Sequence, residues 1–174
     1  IKQADIRYTE LLDLAKSIYQ ENDSAYKNVV NTVSAFYTST GNYEKAEPFF
    51  LDALKMLENY YGKNSQDYLT SMNSLGEFYL YAGLYEKAET TYSEFIDLCK
   101  KVYGKNSADH ATAINNLAVT YEKTGNYKEA EKLYHESLKI KEKVYKKESD
   151  FYALTLNNLA VLYDYMGKYE EAEK

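Results

Sequence analysis

A period of 42 residues constrains this chain more than any other feature, because self-similarity at a fixed spacing decides the architecture before local propensity is weighed. Gly41, Gly83, Gly125 and Gly167 each open the same phrase: GNYEKAE, GLYEKAE, GNYKEAE and GKYEEAE. A second phrase keeps step, with YGKNS from residue 61, YGKNS from residue 103 and YKKES from residue 145. An apolar frame around asparagine does the same, as VNTVS from 30, MNSLG from 72, INNLA from 114 and LNNLA from 156. The opening residues also fit, since Ala4, Tyr8 and Tyr19 stand one period before Ala46, Phe50 and Tyr61.

Within one period the apolar spacing is helical. Ile114, Leu117, Ala118 and Tyr121, then Tyr127, Ala130, Tyr134 and Leu138, recur at three, four and seven residues. Each unit is therefore two helices. The phrase glycine ends the first, where the chain turns through a positive φ. Ser65, Ser107 and Ser149 stand just before the next first helix, where a hydroxyl can accept an orphan backbone N–H. The phrases predict first helices over about 24–40, 66–82, 108–124 and 150–166, and second helices over about 43–60, 85–102 and 127–144. The whole chain, 1–174, then reads as one solenoid. It has a leading second helix over 1–19, repeats over 24–60, 66–102 and 108–144, and a truncated repeat over 150–174 whose second helix starts near 169.

Composition removes most other classes of function. Lys and Arg number 21 against 27 Asp and Glu, a net charge of −6, which is the wrong sign for holding nucleic acid or anionic lipid by general electrostatics. One Cys excludes an intrachain disulfide framework, and with two His it leaves no dense metal site. That usage fits a reduced, cytoplasmic setting. The longest apolar runs fall far short of the roughly twenty residues that a bilayer span needs. No Gly-rich phosphate loop, HExxH or G-x-S-x-G motif occurs, so the expectation is a protein without catalysis or cofactor.

The 21 tyrosines follow the repeat. Tyr37, Tyr79, Tyr121 and Tyr163 share one position, and Tyr8, Tyr92 and Tyr134 share another, which assigns them to packing, with rings between helices and hydroxyls at the rim. His110 stands where Tyr26, Tyr68 and Tyr152 stand elsewhere, and inherits their packing role. His135 falls at an outer-face position, and Cys99 reads as a small buried hydrophobe. Clustered carboxylates such as Glu129 with Glu131 open second helices, where they complement the macrodipole.

Ala118, Ala130, Tyr121, Tyr134 and Gly125 resemble the helix-contact pattern of the tetratricopeptide repeat, over essentially the whole chain. The period is longer than the roughly 34 residues usual in that family. With LNNLAVLY, GKYEEAE, Pro48 in EKAEPFF and the K-V-Y-G-K step between units, the chain is similar to the kinesin light chain subtype. Where that subtype carries His-Pro before a first helix, this chain has Ser65-Gln66, Ser107-Ala108 and Ser149-Asp150. The resemblance implies an all-α fold, a right-handed superhelix of antiparallel helix pairs whose concave face is lined by first helices. It also implies a peptide-binding wall built from residues beside the core stripe: Asn73, Glu77 and Tyr81 in one repeat, Asn115, Asn116, Glu122 and Lys123 in the next, and Asn157, Asn158 and Tyr165 in the last.

Asparagine amides both donate to and accept from a peptide backbone, which suits Asn116 and Asn158 to binding main chain; bridging neighbouring helices is the alternative role. Tyr81 and Tyr165 lie outside the recurrent tyrosine positions and suit exposed anchoring. With Lys123 set against Glu77, Glu122 and Asp164, the wall favours a neutral or basic segment. The leading expectation is a non-catalytic scaffold that binds a protein segment. Two alternatives stay open: a regulatory or sensor arm of a larger effector, such as a protease or signalling ATPase, and a self-assembling structural repeat. In either case head-to-tail association through open solenoid ends is expected.

Overall fold

The computed structural model describes residues 24–172 together with residues 10, 11 and 14. The leading helix expected over 1–19 therefore lies outside the described residues except at Glu10, Leu11 and Leu14, which are helical and exposed. The elements are α1 (Ser24–Ser39), α2 (Tyr43–Tyr61), α3 (Gln66–Tyr81), α4 (Tyr85–Tyr103), α5 (Ala108–Lys123), α6 (Tyr127–Tyr145), α7 (Asp150–Tyr165) and α8 (Tyr169–Ala172). Each long helix ends within a residue of the limit that the repeated phrases predict. The fold is all-α, built from stacked antiparallel helix pairs, and the chain divides into two compact units, 1–78 and 79–174.

Local chemistry sets the helix ends. At the end of α5, Gly125 takes φ +77°, its N–H donates to Glu122 O, and the Asn126 N–H reaches back to Tyr121 O at 2.8 Å. That bond satisfies a helix-terminal carbonyl by a left-handed turn that costs glycine nothing. At the starts of α3, α5 and α7, the hydroxyls of Ser65, Ser107 and Ser149 accept from the N–H three residues on, each at 3.3 Å.

In the first unit α1 packs on α2, with Tyr37 stacked on Phe49 at 5.7 Å and Phe50 on Phe78 at 4.8 Å. In the second unit α5 lies against both α4 and α6, and α6 against α7. Ala118 on α5 and Ala130 on α6 are wholly buried, and their small side chains allow the two backbones to approach. Tyr134, Leu138, Leu159 and Leu162 fill the space around them. Each such buried side chain contributes roughly 1.5–3 kcal/mol by leaving water. Tyr92 and Tyr134 are fully buried, Tyr37, Tyr79 and Tyr163 nearly so, and the Tyr121 hydroxyl reaches Glu89 on α4 at 3.0 Å. His110 is buried with Nδ1 3.0 Å from the Lys105 carbonyl oxygen. Cys99 is buried too, and that burial pushes its thiol up to about 12, far from thiolate chemistry.

Candidate peptide-binding wall

Helices α5 and α7 place matching stripes beside their core faces. Thr112, Asn116, Val119 and Lys123 follow one another at four, three and four residues along α5, and Leu154, Asn158, Val161 and Tyr165 do so along α7. The two helices touch, and Asn158 Nδ2 donates across to Asn115 Oδ1 at 3.4 Å. Leu154, Val161 and Tyr165 are exposed, while Asn116 and Asn158 are half-buried. This two-helix strip offers amide groups at its middle, apolar side chains along it and an aromatic ring at one end.

The other expected wall residues are placed differently. Asn115 is only 5% exposed. Its Oδ1 accepts from the Thr155 hydroxyl at 3.0 Å and from Asn158, and its Nδ2 donates to Asn116 Oδ1 at 3.3 Å. It joins α5 to α7. Asn157 holds the same repeat position but is exposed, beside a hollow of about 560 Å³ lined by Leu156, Ala160, Tyr163 and Ala172. The difference is coverage: α7, the first helix of the next repeat, lies over Asn115, and no described helix stands in that relation to Asn157.

Glu122 is 8% exposed, because Tyr134 donates its buried hydroxyl to one carboxylate oxygen at 2.9 Å and Lys123 its ammonium to the other at 3.1 Å. Burial and the Glu122 charge together hold the Tyr134 hydroxyl well above its usual range. The hydrogen bond to Glu122 raises Lys123 above an ordinary lysine. Glu122 is thus neutralised within the fold, and Asp164 is left as the exposed carboxylate on this strip. Tyr165, 58% exposed, stacks on Tyr127 at 6.4 Å beside a hollow at the α5–α6 turn. Tyr81 is 75% exposed. In the first unit Asn73 donates to Glu77 Oε1 at 2.9 Å, one turn along the same helix, and Glu77 is exposed.

Sequence reasoning passed over Lys141 and Thr155. Lys141 on α6 is 3% exposed, and its Nζ donates to Thr155 Oγ1 at 2.7 Å. A buried chain of polar groups then runs Lys141, Thr155, Asn115 and Asn158 behind the strip. The signal was present in the repeat: Lys141 stands where Leu57 and Cys99 stand, and Thr155 where Ser71 and Ala113 stand. Among the described residues no three His, Cys, Asp or Glu side chains gather as a metal ion requires. No described helix is long and apolar enough to cross a membrane.

A model of the tetratricopeptide repeat matches residues 23–101, 68–143 and 109–174, and the chain belongs to that family. Among solved structures it is similar to BtubC (BKLC) from P. vanneervenii, with 24% identity and a TM-score of 0.75 over 99% of this chain and 68% of that one. It is also similar to a putative kinesin light chain from Podospora anserina with nearly identical TPR-like repeats, with 16% identity, a TM-score of 0.76, and 99% and 82% coverage. A Rap protein complexed with Competence and Sporulation Factor matches at 16% identity and a TM-score of 0.70, over 98% of this chain and 48% of that one. These likenesses show the fold, which is that of kinesin-light-chain-like repeat proteins. No match is found among the curated protein sequences.

Proposed function

We propose that the strip on α5 and α7 binds an extended segment of another protein, without catalysis. The observation that carries this reading is the placement of Asn158 between the exposed Leu154, Val161 and Tyr165. One of its amide hydrogens is used within the fold, while its Oδ1 makes no bond to a described residue and can accept a peptide N–H. Leu154 and Val161 supply apolar contact on either side of that amide, with Tyr165 one turn beyond Val161. Tetratricopeptide repeat proteins generally mediate protein interactions, and the Rap relative is complexed with a factor. With Lys123 paired to Glu122 and Asp164 exposed, a neutral or basic segment meets less repulsion than an acidic one.

The test is titration of three fluorescent peptides that differ only in carrying Ser, Lys or Glu at alternate positions. The Ser and Lys peptides should bind, and the Glu peptide more weakly. Asn116→Ala with Asn158→Ala should cost about five- to hundredfold in affinity, two hydrogen bonds at roughly 0.5–1.5 kcal/mol each. Unchanged binding by that variant, with circular dichroism showing it folded, moves the site off the strip.

A second reading, head-to-tail association of copies, is favoured by the apolar hollow on α7. The equivalent face of α5 is covered by α6 through Ala130, Ser137 and Ile140, and Ser137 donates to Ala111 O at 2.7 Å. Residues Ala4, Tyr8 and Leu12 repeat the spacing of Ala130, Tyr134 and Leu138, so another copy carries the pattern that fits. Sedimentation of the wild type against Leu156→Glu decides it: association should be concentration-dependent and lost in the variant, and a monomer at millimolar concentration rules it out.

A further inference from the structure

A second surface of the repeat unit lies between the two helices that flank α5. Helices α4 and α6 both pack on α5, and between them opens a groove of about 790 Å³. Its floor is apolar: Ile114 of α5 and Ile140 of α6 are buried there, with Ile96 of α4 and Leu133 of α6 partly exposed above them. Its rim is basic. Lys100 and Lys105 stand on one side, Lys139 and Lys143 on the other, against Asp97 and Glu136.

None of these four lysines forms an ion pair with a described residue, although Lys63, Lys123, Lys132, Lys147 and Lys168 all do. On a chain of net charge −6, a groove with four unpaired ammonium groups and two carboxylates is a local reversal of sign. The reversal is particular to this repeat. The equivalent charged positions one period earlier hold Lys55, Lys63 and Lys101 against Glu58, Glu94 and Asp97, which cancel.

An apolar floor between two basic rims has a definite complement. We infer that this groove docks an acidic amphipathic helix of a partner protein, with its apolar stripe on Ile96, Ile114, Leu133 and Ile140 and its flanking carboxylates at Lys100, Lys105, Lys139 and Lys143. The distance from Leu133 to Lys143 along α6 is about 15 Å at 1.5 Å per residue, so about three turns of partner helix fill it. Helix-in-groove docking needs apolar anchors three and four residues apart, and the rim charges set orientation and encounter rate. The site is separate from the strip on α5 and α7 and calls for the opposite ligand charge, so the two readings stand or fall independently.

Fluorescence anisotropy with a stapled acidic helix of roughly fourteen residues tests it. The probe carries leucines along one stripe and glutamates on both flanks, because an unstapled peptide of that length is a marginal helix in water. It should bind, and weaken as salt rises. Lys139→Glu with Lys143→Glu should lower its affinity about tenfold or more. Lys55→Glu with Lys63→Glu, which changes the net charge equally, should leave it unaltered. The inference is overturned if the groove variant binds as the wild type does, or if the acidic probe fails to bind at millimolar protein. It is equally overturned if a probe with serine for leucine binds as tightly, or if phosphatidylserine vesicles bind and the helix does not.

Discussion

The ammonium of Lys141 is buried 2.7 Å from the hydroxyl of Thr155, and no carboxylate among the described residues pairs with it. Loss of water on burial lowers its pKa from 10.5 to about 8. The repeat places apolar partners at the matching sites, Cys99 opposite Ala113, so one interface of the stack carries a polar pair where its neighbour carries none.

Stability should depend on this lysine in a defined direction. Between about pH 8 and 10.5 the unfolded chain holds the proton that the folded chain has released, so stability rises with pH across that window and the cost of burial is largest below it. Lys141→Met with Thr155→Ala should stabilise the fold at neutral pH by on the order of 1–4 kcal/mol and lose the rise with pH, so that the two profiles converge toward pH 10. Chemical denaturation of both proteins from pH 7 to 10 measures this. A parallel pair of profiles would show that the ammonium reaches water.

Lys146 closes α6 with φ 70° and ψ 167°, the conformation that Gly62 and Gly104 hold at the same repeat position. A side chain there is strained by roughly 1–3 kcal/mol. Lys146→Gly should therefore raise stability by about 1 kcal/mol in a thermal melt, despite the added freedom of glycine in the unfolded chain.

Ala130 touches the α5–α6 contact with no exposed surface, and Ala88, one period earlier, is likewise wholly buried. Ala130→Leu should overpack that contact and cost about 1–3 kcal/mol, with Ala88→Leu alike. A melt unchanged in either variant contradicts the close helix approach.

Asn115 and Asn158 should separate by phenotype although both belong to one asparagine frame. Asn115→Ala removes the acceptor of an Asn158 hydrogen and the nearer acceptor of the Thr155 hydroxyl, leaving that hydroxyl only Phe151 O at 3.4 Å, and should cost about 1–3 kcal/mol in denaturant unfolding. Asn158→Ala removes one long bond of 3.4 Å and should cost less than half as much while weakening peptide binding.

The sequence by itself determined the helices and their ends. Gly125 and Ser107 act through bonds to backbone within a few residues, and such local chemistry repeats whenever the phrase repeats. It also determined which alanines and tyrosines are buried, because Ala118, Ala130 and Tyr134 recur at helical spacing on one face. Only the tertiary structure decided which residues of the wall meet solvent. Asn115 and Asn157 are indistinguishable in register, yet α7 covers the first, and coverage is a property of neighbouring helices and not of the helix that bears the residue. Glu122 is shielded because α6 brings the Tyr134 hydroxyl to it, and Lys141 is buried because α7 closes over it. Burial of a polar group depends on what stacks against it, so the same residue in the same motif is exposed in one repeat and a buried strut in the next.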